Sequence, residues 1–219
     1  MAFSDAAHPL PTASADPLHA LRQATQATHS LLDSRLAIGQ PTASLTDYAA
    51  HARALAAWLQ ALAPALGTLQ AEVPQFDFTP AHRLAALQQD LQDIAALVPQ
   101  TPPSQPWAWP APSASMQQRA EAVLKKAQRT GSASAAIWGI AYVVEGSQLG
   151  GLVLHKRLAG PLAPHPLRYL RGSAEGTASR WKCFIGLLRD NVATPDAVAA
   201  ACDGAMAAFD GLIDEFRHT

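Results

Sequence analysis

The stretch YVVEGSQLGGLVL, residues 142–154, is the most informative segment of the sequence. It lies inside a long apolar segment with helical periodicity, yet it contains Gly146, Gly150 and Gly151. A glycine in a helix interior costs about 0.5–1 kcal/mol relative to alanine, so three of them together cost about 2–3 kcal/mol. Gly146 and Gly150 are four residues apart and share one helix face with Tyr142. A bare face of this kind suits either close packing against another helix or contact with a broad planar ligand.

The rest of the sequence predicts a single-domain, all-α protein. The chain has 219 residues, of which 49% are hydrophobic and 6% aromatic, and clusters of Val, Ile and Thr at strand spacing are scarce. Residues 1–15 are predicted to be a disordered leader, and the helical domain covers residues 16–219. The proline-rich stretch VPQTPPSQPWAWPAP predicts an extended connector, pinned by Trp107 and Trp109. Capping residues, prolines and glycines delimit seven predicted helices, at about 17–37, 44–66, 80–97, 113–129, 134–158, 174–190 and 195–217.

Charge and cysteine content argue against several functional classes. The formal net charge is −1, and no run of more than two Lys or Arg residues occurs, so nucleic acid is not an expected partner. Cys183 and Cys202 are expected to be free, buried thiols, which suits a reducing compartment such as the cytoplasm. The first residues lack the features of a signal peptide, and no membrane partner is expected.

A planar ligand that carries a metal needs an axial ligand from a helix on its other face, and His29 is the strongest candidate. It lies in LRQATQATHSLLDSRL, residues 21–36. Imidazole is a common metal ligand, Arg22 lies two turns away where it can meet an anionic edge, and Asp33 can orient the ring. The alternative is an ordinary surface or core histidine with a local ion pair. One face of the predicted helix carries Arg22, Thr25, His29, Leu32 and Asp33.

The other histidines give little support to a different metal site. No His-x-x-His, His-x-x-x-His or His-Glu-x-x-His pair occurs, which argues against a helical zinc enzyme. A single Glu-x-x-His motif at Glu215 is too little for a carboxylate-bridged di-iron bundle. His51, His82 and His165 are expected on the surface or in loops, and His155 near a helix C-terminus, where the helix dipole favours a cation.

Two of these segments carry a family resemblance. LRQATQATHSLLDSRL resembles the proximal-helix motif of heme oxygenases, and YVVEGSQLGGLVL resembles their distal-helix motif, in the bacterial form associated with bacteriophytochromes. The order of the motifs and their wide separation also match. RWKCFIGLL, residues 180–188, is similar to a later helix of the family. The resemblance covers the chain from residue 17 to the C-terminus and implies an all-helical, heme oxygenase-like bundle.

The resemblance implies that heme lies between the first helix and the glycine-rich helix. His29 would be the proximal iron ligand and the metal-binding residue. Gly146 and Gly150 would lie over the distal face of the heme, where the missing side chains make room for the porphyrin and for dioxygen.

The resemblance also assigns polar contacts around the heme. Arg22 and Lys182 match positions that contact the propionates in family members, with assistance from Arg180 or Tyr142. Ser147 stands where animal-type enzymes have an aspartate that organises proton-delivering water. Many bacterial relatives share the Glu-Gly-Ser form, so proton delivery here is expected to use the Ser147 hydroxyl, backbone carbonyls and bound water.

The implied activity is the opening of heme at a meso carbon to biliverdin, CO and iron, driven by O₂ and external electrons, with heme as both substrate and cofactor. No dinucleotide-binding fingerprint follows a predicted strand, so a ferredoxin or similar electron donor is expected. A bacteriophytochrome is an expected biliverdin acceptor. Two alternatives remain open: a non-catalytic heme carrier or sensor on the same fold, and a thiaminase-like enzyme, which shares the architecture but needs a cysteine nucleophile.

Overall fold

The computed structural model describes residues 16–98, 109–172 and 176–218. No β-strand occurs in these ranges, so the all-α prediction is confirmed. A turn of 3₁₀ helix, Ala37–Gly39, follows the first α-helix. The predicted leader and most of the connector, including Trp107, lie outside the described residues. The α-helices are α1 (Pro17–Arg35), α2 (Leu45–Glu72), α3 (Ala81–Leu97), α4 (Ala114–Arg129), α5 (Ala133–Leu158), α6 (Arg168–Arg171), α7 (Thr177–Asn191) and α8 (Pro195–His218).

Local capping explains where the first two helices begin. The Asp16 carboxylate accepts a hydrogen bond from a backbone N–H in the first turn of α1, and Pro17 occupies the first helical position. Ser44 caps helix α2. Its Oγ accepts a hydrogen bond from the backbone N–H of Asp47 at 3.2 Å, while the Ser44 N–H donates to the Asp47 carboxylate at 2.8 Å. This reciprocal pair is a capping box, which satisfies two backbone donors at once.

Helices α5 and α8 cross with their backbones in contact. A Cβ atom built on Gly139 of α5 would lie 1.8 Å from the carbonyl oxygen of Ala201. A Cβ atom on Gly204 of α8 would lie 2.0 Å from the carbonyl oxygen of Ala136. Neither position has room for a side chain, so these two glycines permit the close approach of the helices. Helix α8 also contacts α1 and α2. It therefore supports both helices that carry the predicted site, α1 with His29 and α5 with Gly146 and Gly150.

A buried carboxylate holds α6, which the sequence did not predict. The Asp90 side chain on α3 is fully buried and accepts hydrogen bonds from the backbone N–H groups of Arg168 and Tyr169, both at 2.9 Å. The Tyr48 hydroxyl donates to the same carboxylate at 2.5 Å. These bonds satisfy N–H groups at the start of a four-residue helix that is too short to form alone.

His165 lies in the loop before α6, within the expected surface or loop setting, but it is buried there. Its Nδ1 accepts a hydrogen bond from the N–H of Leu167 at 3.1 Å. The Nε2 atom lies 3.0 Å from the carbonyl oxygen of Asp90 and therefore carries the proton. The ring thus acts as a structural bridge between the loop and α3.

Helix α5 is long and apolar enough to cross a membrane, alone among the described helices. Half of its most apolar 18-residue window is buried inside the fold, and the core helix of a soluble protein has the same character.

Both cysteines are free, as expected, but Cys183 is exposed and Cys202 half-buried, so the expectation of buried thiols was wrong for Cys183.

Candidate functional site

A cavity of about 440 Å³ lies between α1 and α5. The two helices run in the same direction. Thr25 and Tyr142 line the cavity together, and farther along α5 Arg157 donates to the carbonyl oxygen of Gly39, in the 3₁₀ turn after α1, at 2.6 Å. Between Tyr142 and Arg157 the α5 helix rises about 22 Å. The volume falls in the range of small-molecule sites, and the two parallel walls give it the form of a slot.

The two ends of this slot differ in polarity. At the outer end a groove opens towards solvent past His19, Arg22 and Tyr142. Helix α2 lines the inner end with His51 and Leu55. The floor is formed by α8 through Phe209, Leu212 and Phe216. No carboxylate occurs among the described residues that line the cavity, so its chemistry favours an apolar ligand with anionic groups at the outer end.

His29 borders both the cavity and the outer groove. His29 is exposed, and its imidazole ring meets the Phe209 ring edge-on, with 5.8 Å between the ring centroids. The aromatic contact fixes one side of the imidazole, while exposure keeps the ring accessible to a ligand. The side chain of Asp33, the predicted partner of His29, lies outside the described part of the structure.

Gly146 and Gly150 face the slot. A Cβ atom built on Gly150 would meet nothing within 4 Å, and one on Gly146 would meet only the Trp181 ring at 3.7 Å. Gly139, two turns earlier on α5, is the position where a neighbouring helix backbone lies too close for a side chain. The helix-packing explanation therefore applies at Gly139, whereas Gly146 and Gly150 leave space at the cavity. Gly151 lies against α6 instead, where its Cβ would be 3.5 Å from a backbone oxygen.

Ser147 and Tyr169 supply polar atoms to the glycine-bearing wall. The Ser147 Oγ donates a hydrogen bond to the carbonyl oxygen of Val144 at 2.8 Å. Burial raises the pKa of Tyr169, against a smaller opposing effect of the Arg83 charge, and the Tyr169 hydroxyl has no hydrogen-bond partner among the described residues. The phenol is therefore neutral at physiological pH and keeps its proton.

Of the residues predicted to contact heme propionates, Arg22 and Tyr142 line the outer end of the slot together. Burial raises the pKa of Tyr142, so this phenol also remains a neutral donor. Lys182 is exposed on α7 and is not among the residues that line the cavity, although its neighbour Trp181 is.

Arg180 lies in a buried ion-pair cluster behind the glycine-bearing wall. Its Nε and Nη2 atoms donate to the two carboxylate oxygens of Glu145, each at 2.8 Å, and its guanidinium stacks over Phe76 at 4.2 Å. Arg83 donates to the same carboxylate at 2.8 Å. Arg83 and Glu145 are each only 3% exposed. The cluster joins α3, α5 and α7, and it holds Arg180 in a structural contact away from the outer end of the slot.

His51 is a cavity residue that sequence reasoning missed, and the expectation of a surface position was wrong. The residue is 8% exposed, its ring stacks on Phe216 with 5.2 Å between centroids, and its Nδ1 has no hydrogen-bond partner among the described residues. Burial lowers the pKa of His51 to about 4, so the ring is neutral at physiological pH. Its spacing from Tyr48 and Leu55, which belong to the buried face of α2, was an available signal.

The comparisons with known proteins agree with this geometry. The sequence model of the heme oxygenase family matches residues 16–218 of this chain. A heme oxygenase from Xanthomonas campestris pv. campestris (strain 8004) is 40% identical over 80 residues, which cover 36% of this chain and 48% of that relative. The chain thus spans about half the length of the relative that it matches. Since the family match extends over nearly the whole chain, the protein belongs to the heme oxygenase family.

Proposed function

We propose that the protein is a heme oxygenase, which opens heme at a meso carbon to biliverdin, CO and iron with O₂ and external electrons. The observation that carries the proposal is the slot itself. His29 borders one side of the slot, and the open space at Gly150 borders the other. Such a pair of walls would suit a flat iron porphyrin, with His29 to hold the iron and open space at Gly150 for the ring.

His29 is the proposed iron ligand and Arg22 the proposed partner of the carboxylates. Bound heme supplies the oxygen and redox chemistry, and the protein supplies orientation and steric control. The His29 imidazole would bind the iron from α1, steadied by the edge-on contact with Phe209. Gly146 and Gly150 keep side chains away from the opposite face, so the α5 backbone sets how closely a ligand approaches that wall. Tyr142 adds a neutral hydrogen-bond donor at the outer end.

Ser147 is the proposed polar contact for water on the glycine-bearing side. Its hydroxyl proton is engaged with the Val144 carbonyl, so its oxygen accepts hydrogen bonds from water. No carboxylate lines the slot in the described ranges, and proton transfer is therefore proposed to run through water held by Ser147 and nearby backbone carbonyls.

Several finer assignments belong to the same proposal. Lys182, exposed beside Trp181, is proposed to reach the propionates from the rim, and Asp33 to orient the imidazole from the same helix as His29. A ferredoxin or similar donor supplies the electrons, and a bacteriophytochrome is the proposed biliverdin acceptor. Free thiols suit the proposed cytoplasmic location.

The decisive experiment is a single turnover of the hemin complex. The apoprotein is titrated with hemin to one equivalent, a reductant is added without oxygen, and oxygen is then admitted. The expected result is loss of the Soret band and formation of biliverdin, which chromatography identifies by isomer. Stoichiometric binding with an unchanged Soret band would instead support the heme carrier or sensor. Absence of hemin binding would reject both.

Replacing Gly150 with alanine is expected to separate stability from ligand binding. The apoprotein should gain about 0.5–1 kcal/mol, because alanine is the better helix former and the new methyl group meets no atom within 4 Å. Hemin affinity should fall by on the order of tenfold, because the methyl group projects into the slot. Chemical denaturation and hemin titration measure the two effects.

Gly139→Ala is the matched control on the same helix. Its methyl group would lie 1.8 Å from a backbone oxygen, so it should lower the stability of the apoprotein. If Gly150→Ala bound hemin as tightly as the wild type, the bare face would not be the ligand surface.

A further inference from the structure

His51 places a polar ring at the inner end of the slot. It is nine-tenths buried, it stacks on Phe216, and its Nδ1 has no partner among the described residues. Leu55, one turn along α2, lines the same end and is apolar. A buried polar nitrogen without a hydrogen bond destabilises a protein, and the nearest place for the missing partner is the cavity that the His51 ring lines.

The polarity of the slot determines which part of a porphyrin meets His51. Arg22 and the opening to solvent favour the two carboxylates at the outer end. Burying them at the inner end, among Leu55 and Phe216, would be costly. The edge that reaches His51 is therefore the one farthest from the carboxylates. That edge carries methyl, vinyl and meso C–H groups, and none of them satisfies an imidazole nitrogen.

The product differs from the substrate at this edge. When the ring opens there, O₂ and the electrons supplied by the donor convert the meso carbon to CO, and each of the two flanking pyrrole rings gains a lactam oxygen. Those oxygens are strong hydrogen-bond acceptors. The substrate thus offers His51 no partner at this position, while the bilin offers two.

We propose that His51 is a product-recognition residue, whose imidazole N–H donates a hydrogen bond to a lactam oxygen of the bilin at the inner end of the slot. This inference rests on the proposed heme oxygenase function. The ring is neutral at physiological pH and so carries one N–H. A half-turn about its Cβ–Cγ bond keeps the ring in the plane stacked on Phe216 while it exchanges the edges that carry the nitrogen atoms.

The test compares the equilibrium affinities of the full-length apoprotein for biliverdin and for hemin, followed by absorbance and tryptophan quenching. His51→Leu should weaken biliverdin binding about tenfold, the effect of one hydrogen bond in a buried site, and change hemin binding by less than about threefold. His51→Gln, which keeps an N–H donor, should recover part of the loss. Leu55→Ala is the control for shape, since it should weaken the binding of both ligands.

The thermal midpoint of the His51→Leu apoprotein verifies that it folds, and it should equal or exceed that of the wild type, because an unpaired buried nitrogen has been removed. Equal weakening of both ligands by His51→Leu would make His51 a contact of shape alone and overturn the proposal. Unchanged biliverdin affinity would also overturn it. Neither outcome bears on wild-type turnover, so the proposed function can stand while this inference fails. Conversely, selective loss of biliverdin affinity in a protein that does not degrade hemin would reject the oxygenase activity and with it the product role of His51, while the contact of His51 with the bilin would stand.

Discussion

Replacing His29 with alanine is expected to abolish the coordinated hemin spectrum and to slow biliverdin formation by on the order of 100-fold or more. Loss of a residue that merely orients a metal ligand already costs 10–100-fold in many sites, and loss of the ligand itself costs more. The slot walls remain, so hemin should still bind weakly through its apolar faces. Absorbance titration follows coordination, and single-turnover assays follow the rate.

His155→Ala is the matched control for this prediction. His155 is half-buried in the last turn of α5 and is not among the residues that line the slot, so its replacement should leave the spectrum unchanged. Added imidazole should restore coordination in His29→Ala, because His29 borders the open outer groove. A wild-type spectrum in His29→Ala without imidazole would show that the iron ligand is a different residue.

Replacing Glu145 with glutamine is expected to lower the free energy of unfolding of the apoprotein by about 3–5 kcal/mol. Arg83, which is 3% exposed, would be left with a buried charge and no anion, and Arg180 would lose the same partner. For a chain of this size the loss corresponds to a fall in the thermal midpoint of roughly 6–20 °C. Denaturant titration of the apoprotein measures the effect independently of heme.

Two variants keep this prediction specific to the buried charge. Lys125→Ala removes an exposed pair with Glu121 and should cost no more than about 0.5 kcal/mol. The double variant Arg83→Met with Glu145→Leu should recover much of the loss, because it removes both buried charges while Arg180 reaches solvent. A loss in Glu145→Gln as small as that in Lys125→Ala would mean that the buried pair contributes little to stability.

The long helices were predictable because each has a signal within its own sequence. Ser44 and Asp47 mark the start of α2, and amphipathic spacing follows for several turns. The slot was predictable in outline, since Gly146 and Gly150 share a face by spacing alone. Helix α6 was not predictable, because its N–H groups are satisfied by Asp90, 78 positions away in sequence from Arg168.

Contacts between distant segments account for the rest of what was missed. No local pattern around Arg180 indicates that its guanidinium pairs with Glu145 and not with a ligand. The expected surface or loop position of His51 was wrong because its place on α2 follows the buried face of that helix. Gly139 and Gly204 take their roles from the crossing of two helices, which depends on the whole fold.

The backbone contact between α5 and α8 determines which wall of the slot can move when a ligand binds. At Gly139 and Gly204 the two helices leave no space for a methyl group, so α5 cannot shift relative to α8 without breaking that contact. Helix α1 is different, because each of its residues from Gln26 to Leu31 is exposed or half-buried. Planar ligands of different thickness are therefore accommodated by movement of α1, the helix that carries His29.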